Sequence, residues 1–214
     1  MLEYQKYSGN LISSWYFLNV IMRRLYFRIM RKVIILFLFF TCLGTFCRAQ
    51  SIYTCDNGKI SFNSSAPLEL IQAESNEMRG AIDLDKRTFA FTVKITSFRG
   101  FNAELQRDHF NENYMESEKF PEATFRGKII EEVDFSTQTV HHVRAKGTLT
   151  IHGVEQERII NVKVMVLENK VTAEARFPVQ LSEHNITIPK VVHEKIASEV
   201  IVEVDAVLHK RQTE

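Results

Sequence analysis

The stretch Asp108–Ile130 reads DHFNENYMESEKFPEATFRGKII, and a shorter one at Gly147–Val154 reads GTLTIHGV. The first is polar and rich in turn-forming residues, yet it carries several aromatic rings and enters a strand-like pattern through Phe120 and Pro121. Neither stretch has the pattern of a catalytic motif. We interpret the two together as the corner of a closed antiparallel barrel with an apolar interior. The aromatic residues of this region are Phe101, Phe110, Tyr114, Phe120 and Phe125.

Alternation of apolar and polar residues dominates on both sides of this region, and it predicts strands that have one buried face. The clearest strand carries Phe89, Phe91, Val93 and Ile95 on one face. No alternation of strands with long helices is present, so a parallel sheet is not favoured. The other predicted strands lie around Ile60 and Phe62, and at 78–84, 125–129, 143–151, 160–166, 171–181 and 200–208.

Eight or nine strands joined by short turns must protect two sheet edges, and closure into a barrel removes both edges. We therefore predict an all-β fold, an antiparallel eight-stranded closed barrel with one or two short helices. One helix is predicted to begin at Asn102 as its cap and to place Phe101, Leu105 and His109 on one face. A second short helix is predicted after Pro189.

An eight-stranded barrel is wide enough inside for a layer of side chains or for one ligand. The predicted inward faces combine large rings with the small residues Ala145, Gly147, Ala173 and Ala175. These small residues either interdigitate with the rings in a filled core or leave an elongated hollow, and the sequence is compatible with both. The predicted lid over the open end consists of Tyr114, Met115 and Phe120.

The N-terminal 49 residues differ from the rest of the chain in charge. They hold seven of the 27 basic residues and one of the 26 acidic residues, which leaves a formal charge of −5 for residues 50–214. From Met30 the chain reads MRKVIILFLFFTCLGTFCRAQ, in which the apolar run is shorter than the roughly 20 residues that span a bilayer. We predict a signal peptide at 30–49 that is cleaved after Ala49, and a periplasmic or secreted protein. Residues 1–29 are then a non-native extension, and 50–214 form a single barrel domain.

The mature chain would keep Cys55 and no other cysteine, so it cannot form an internal disulfide. Lipid attachment at Cys42 or Cys47 is a minor alternative to cleavage, because bulky residues precede both. The negative charge of the mature chain argues against a nucleic-acid partner, which would need a basic face. We also predict no stable membrane span in the mature chain.

Several short motifs follow one another along the predicted barrel. Lys119-Phe120-Pro121 is followed by Ala123-Thr124-Phe125, then by the hairpin motif at Gly147–Val154, and Phe110 lies upstream. In combination they resemble the motifs of the YceI-like family of exported, polyisoprenoid-binding, lipocalin-like proteins, and the resemblance covers most of residues 58–208. The chain departs from the family at 62–80, FNSSAPLELIQAESNEMRG, where the family has a more regular hairpin and an early histidine.

The resemblance implies an exported carrier or sequestering protein that holds a long amphiphilic lipid, a polyisoprenoid such as a prenyl quinone or prenyl phosphate, inside the barrel. Each buried methylene contributes about 0.8 kcal/mol, so an isoprene unit contributes roughly 3 kcal/mol or more before ordering costs. Phe110, Tyr114 and Met115 are predicted at the mouth. The predicted ligand-binding residues of the wall are Phe89, Phe91, Val93, Ile95, Phe125, Leu149, Ile151, Ala175 and Phe177.

The sequence lacks the common patterns of catalytic and metal sites. Its seven histidines lack the spacing of zinc ligands, and it has no phosphate-binding loop and no nucleophile elbow. We therefore predict no catalytic residue, no metal site and no cofactor, and a structural role for His152. Two alternatives are a non-enzymatic envelope or stress protein that acts by surface contact and, less favoured, a lipid isomerase or cyclase that uses a buried acid. A homodimer of two barrels is compatible with the sequence.

Overall fold

The computed structural model describes residues 51–211 together with 22–24, 26 and 28–32. The chain divides into two compact units, Met1–Ala49 and Gln50–Glu214. In the first unit the described residues are helical, whereas Cys42, Cys47 and most of the predicted signal peptide lie outside the described residues. Among the described residues, no helix is long and apolar enough to cross a membrane.

Eight antiparallel strands form a closed barrel within residues 51–211, in which every strand pairs with its sequence neighbours and the last pairs with the first. The predicted fold class is therefore confirmed. Because all of these pairings lie within 52–210, the second unit contains the complete sheet. The strands are β1 (Ile52–Ser65), β2 (Leu70–Asp83), β3 (Thr88–Lys94), β4 (Glu122–Ile129), β5 (Val140–Ile151), β6 (Val154–Val166), β7 (Lys170–Gln180) and β8 (Glu199–Lys210).

The β1–β2 hairpin is longer than the sequence predicted. We predicted the second strand from Met78, but β2 begins eight residues earlier, at Leu70. Two irregularities in the β1–β2 register, on either side of Gly58, interrupt the alternation that the prediction depended on. Ser75 also occupies an inward position, where its hydroxyl lies 2.6 Å from that of Ser97. A buried pair of hydrogen-bonded hydroxyls thus occupies a position where an apolar residue would have indicated a strand.

The helix between β3 and β4 differs from the prediction in both its cap and its face. Helix α1 spans Glu104–His109, and its N-cap is Ala103 rather than Asn102, with no side-chain hydrogen bond. Leu105 is 63% exposed, so the predicted apolar face is wrong. A π-helical turn at Phe110–Tyr114 follows α1 directly, and its wider winding changes which residues face inward.

The two ends of the barrel are built differently. Where β1 begins, buried apolar side chains close the end, among them Tyr53, Leu84 and Phe135. Where β1 ends, the long β3–β4 and β7–β8 connections lie over the sheet. The second connection contains 3₁₀ turns at Leu181–His184 and Lys190–Val192, so the helix predicted after Pro189 is a single short turn. We call this second end the mouth.

The β5–β6 hairpin turns through two residues, as the sequence predicted. Ile151 pairs with Val154, and the two turn residues, His152 and Gly153, have φ values of 51° and 71°. Positive φ at both positions gives a turn whose twist matches that of the flanking strands. Phe120 packs its ring 4.7 Å from that of His152.

Candidate ligand-binding cavity

A cavity of about 480 Å³ lies inside the barrel. Its volume falls within the range of roughly 300–1,000 Å³ that is common for small-ligand sites. Inward side chains from all eight strands line it, and the great majority are apolar. The barrel is therefore hollow, which decides between the two arrangements that the sequence allowed.

All of the residues that we predicted to bind a ligand line this cavity. The wall residues come from β3, β4, β5 and β7 and from the turn that follows β3, and the mouth residues come from the β3–β4 connection. Their contact with a ligand stays a prediction. They are Phe89, Phe91, Val93, Ile95, Phe110, Tyr114, Met115, Phe125, Leu149, Ile151, Ala175 and Phe177.

Two clusters of aromatic rings shape the cavity. In the wall, the Phe89 ring lies 4.9 Å from that of Phe125 and 6.4 Å from that of Phe91. Near the mouth, Phe110 stacks on a ring of β1 at 5.3 Å and contacts two rings of the β3–β4 connection. Each such ring pair contributes about 0.5–1.5 kcal/mol beyond the burial of its surface, so these clusters stabilise the wall. The mouth partners, which we did not predict as site residues, are Phe62, Phe98 and Phe101.

Small residues on β5 and β7 contribute to the empty volume of the cavity. Ala145, Ala173 and Ala175 line the cavity, and Ala173 and Ala175 pair with Val164 and Val162 of β6. Gly147, predicted with them, is not a lining residue. It lies instead opposite another glycine in β4, where the two strands approach each other closely.

Polar side chains border the cavity at the mouth. Glu69 Oε1 accepts a hydrogen bond of 2.7 Å from Nε2 of Gln106, and the hydroxyl of Ser64 accepts one of 3.0 Å from the Ala197 amide. Among the described lining residues, Glu69 is the one carboxylate. The mouth thus combines polar side chains with an apolar interior, an arrangement that sequence reasoning missed. The border residues are Ser64, Glu69, Gln106, His109 and Lys195.

Two of the three residues of the predicted lid lie at the cavity, and their action as a lid stays a prediction. Tyr114 and Met115 line the cavity, and Met115 packs with Ile95 and Ile186. Burial raises the pKa of the Tyr114 phenol, so the group stays protonated at neutral pH. Phe120 does not belong to this set, because it packs on the β5–β6 turn, where a Cβ atom at Gly153 would lie 2.4 Å from its ring.

His152, in the β5–β6 turn, contacts the β3–β4 and β7–β8 connections beside the predicted lid. Its Nε2 lies 2.7 Å from Oε2 of Glu116, and its Nδ1 lies 3.1 Å from the backbone oxygen of His184. Both oxygens are acceptors, so the ring donates to both of them when both nitrogens carry a proton. These contacts agree with the structural role that the sequence predicted.

His184 makes the stability of the barrel sensitive to acid. Its side chain is fully buried, its Nδ1 donates to the Val154 carbonyl at 3.2 Å, and burial lowers its pKa from the ordinary value of 6.5. The unfolded chain therefore binds a proton more readily, so stability is lost as the pH falls below about 6.5, by at most ~1.4 kcal/mol per pH unit. Urea unfolding at about pH 7.5 and about pH 5.5 measures this loss. His184→Gln should reduce it, and an equal loss in both proteins would contradict the assignment.

The remaining acids and thiols do not form a reactive cluster in the described part of the chain. Glu131 and Glu132 pair with Arg144 and Arg87 at 2.7 and 3.5 Å. Burial raises the pKa of the Cys55 thiol, which makes the nucleophilic thiolate scarce. Among the described residues, no group of three or more histidine, cysteine, aspartate or glutamate side chains could hold a metal ion.

The chain is similar to known proteins both in its sequence profile and in its fold. The profile of the YceI-like domain matches residues 53–208, whereas a comparison with curated protein sequences gives no match. Similar solved structures include a polyisoprenoid-binding domain from Saccharophagus degradans implicated in plant cell wall breakdown. It is 13% identical with a TM-score of 0.64, and the alignment covers 76% of this chain and 99% of that one.

Two further structures have the same fold. BcnA from Burkholderia cenocepacia is 17% identical with a TM-score of 0.60, and the alignment covers 72% of this chain and 96% of BcnA. The YceI protein of Campylobacter jejuni is 14% identical with a TM-score of 0.55, with coverages of 66% and 86%. At these identities the structures establish the fold. Since the family profile spans nearly the whole barrel, from β1 to β8, the chain belongs to the YceI-like family.

Proposed function

We propose that this protein is an exported carrier or sequestering protein that binds a long amphiphilic lipid in the interior of its barrel. The observation that carries the proposal is the cavity of about 480 Å³ inside the barrel, whose lining is almost entirely apolar. A flexible hydrocarbon chain fits such a space and gains binding free energy from each buried methylene, about 0.8 kcal/mol. No specific polar contact is needed for tight binding.

The proposed ligand class is the polyisoprenoids, for example a prenyl quinone or prenyl phosphate. This ligand class is supported by membership of the YceI-like family and by the similarity of the fold to that of a polyisoprenoid-binding domain. The arrangement of the cavity supports it too, because aromatic walls contact a branched, unsaturated chain closely while the polar border lies at the mouth, where a head group would emerge.

Mass spectrometry under mild conditions, on protein purified from its own host, tests this proposal. We expect a co-purifying apolar molecule that is released when the protein is denatured. A pair of lipids related as substrate and product would favour the isomerase or cyclase alternative. An empty barrel that also fails to take up added prenyl lipids would favour action by surface contact.

Export is the second part of the proposal, and it rests on the sequence 30–49. We expect N-terminal sequencing of the protein recovered from the periplasm or medium to begin at Gln50, because signal peptidase prefers small residues at Cys47 and Ala49. Replacing Ala49 with a bulky residue should slow processing. Recovery of the protein with Met1 in place would contradict this reading.

A further inference from the structure

Four exposed apolar side chains surround the mouth of the barrel. Val191 is 87% exposed, Leu68 67%, Leu105 63% and Leu70 51%. We call these four residues the mouth ring. The other large apolar residues exposed within 51–211 are less concentrated: Ile130, Val140, Ile159 and Val207 lie on the strands or at the closed end. Concentration of exposed apolar groups at one place marks an interaction site, whereas scattered ones are ordinary.

Hydrogen bonds join the segments of the mouth ring into one surface. The Leu68 amide donates to the backbone oxygen of Glu194 at 2.9 Å, which connects the β1–β2 turn to the turn that carries Val191. On its other side, the Leu70 carbonyl accepts a hydrogen bond of 3.0 Å from Nδ2 of Asn102, just before α1. These two bonds connect the segments that carry the ring residues.

The mouth ring is continuous with the cavity. Glu69, which lies between Leu68 and Leu70, is a lining residue, and so are Gln106 and Val192, each next to a ring residue. A lipid that leaves the cavity at this end passes directly between the exposed side chains of the ring. The exposed apolar residues of the ring thus lie next to the polar border of the mouth, and the apolar lining of the cavity begins just inside that border.

We propose that the mouth ring docks the barrel onto the surface of a lipid bilayer, an inference that rests on the proposed lipid-carrying function. Apolar side chains that lie beside a polar border insert to about 5–10 Å at the boundary between head groups and acyl chains. A docked mouth lets an insoluble chain move between membrane and cavity without crossing water.

The charges of this surface indicate which bilayer it prefers. Exposed Lys190 and Lys195 share the β7–β8 connection with exposed Glu194, and α1 carries exposed Glu104. Residues 50–214 carry a formal charge of −5. Anionic lipids are therefore not attracted electrostatically. Docking depends on apolar insertion, so it takes place on zwitterionic phosphatidylcholine and is insensitive to salt.

Sedimentation of residues 50–214 with phosphatidylcholine vesicles tests this inference. The variant Leu68→Ser/Leu105→Ser/Val191→Ser should partition onto vesicles about tenfold less than the wild type or weaker still. The matched variant Ile159→Ser/Val207→Ser removes exposed apolar groups from the barrel wall and should partition like the wild type. Docking at the mouth is refuted if the wild type does not bind, or if the two variants lose binding equally.

Orientation gives a second, independent measurement. Residues 50–214 contain no tryptophan, because the one tryptophan of the chain is Trp15. Leu105→Trp should lose fluorescence on vesicles of brominated phosphatidylcholine, and Ile159→Trp should not. Equal quenching at both positions would overturn the proposed orientation.

Uptake of farnesol added from ethanol, followed by mass spectrometry, separates this inference from the proposed function. The serine variant of the mouth ring should load farnesol as the wild type does, which also shows that it is folded. Docking without any loading would reject the carrier function and keep the docking surface. Loading without docking would reject the docking surface alone.

Discussion

Replacing Ala175 with phenylalanine is expected to weaken lipid binding about a hundredfold while the barrel stays folded. Ala175 lines the cavity from β7, between Val162 of β6 and Val204 of β8. A phenyl ring at this position occupies space that an isoprene unit would otherwise fill. Losing one unit costs roughly 3 kcal/mol, and every 1.4 kcal/mol is about a factor of ten in affinity. Equilibrium titration with a prenyl lipid measures the change.

Ala90→Phe is the matched control for this experiment. Ala90 is exposed on the outer face of β3, so the same substitution there should leave the affinity unchanged. Urea unfolding of both variants verifies that the barrel is intact. Wild-type affinity in folded Ala175→Phe would show that the lipid does not occupy the interior, and it would remove the main support for a carrier.

The cavity wall was predictable from the sequence because a strand that has one buried face alternates regularly. Phe89, Phe91 and Val93 lie on a strand whose register with both neighbours is regular, so their side chains point inward as the pattern indicates. The fold class was also predictable, because consecutive strands pair with each other along the whole chain. Each hairpin therefore has a signal in one short stretch of sequence.

Prediction from short sequence patterns failed where the backbone departs from regular geometry. On β2, register shifts and buried Ser75 hid eight residues of strand from an analysis based on apolar alternation. In the β3–β4 connection, the π-helical turn at Phe110–Tyr114 places Phe110 toward the cavity and leaves Leu105 in solvent. The prediction assumed the 3.6-residue period of an α-helix throughout. That period does not hold for an α-helix that continues as a π-helical turn within eleven residues.

The polar border and the mouth ring could not be predicted, because each combines residues from three separate connections. Glu69, Gln106 and Lys195 come together through contacts between loops. Their sequence separation leaves no periodic signal, and an exposed leucine in a loop is unremarkable by itself. Only their arrangement around one opening gives them a common role.

Gly127→Ala is expected to destabilise the barrel by several kcal/mol, on the order of 3 or more, because it forces two strands apart. Gly127 of β4 lies directly opposite Gly147 of β5, where the stretch Asp108–Ile130 meets the stretch Gly147–Val154. A Cβ atom at Gly127 would lie 2.1 Å from the Lys146 carbonyl oxygen and 2.5 Å from the Cα of Gly147. Backbone atoms cannot move aside as a flexible side chain can, so the strands themselves must separate.

Gly58→Ala provides the comparison that isolates this cause. There the added Cβ would lie 2.6 Å from the terminal methyl of Met78, and an unbranched methionine side chain can rotate away. We therefore expect a loss of about 1 kcal/mol or less for Gly58→Ala in urea unfolding. Similar losses in the two variants would show that β4 and β5 can separate at little cost.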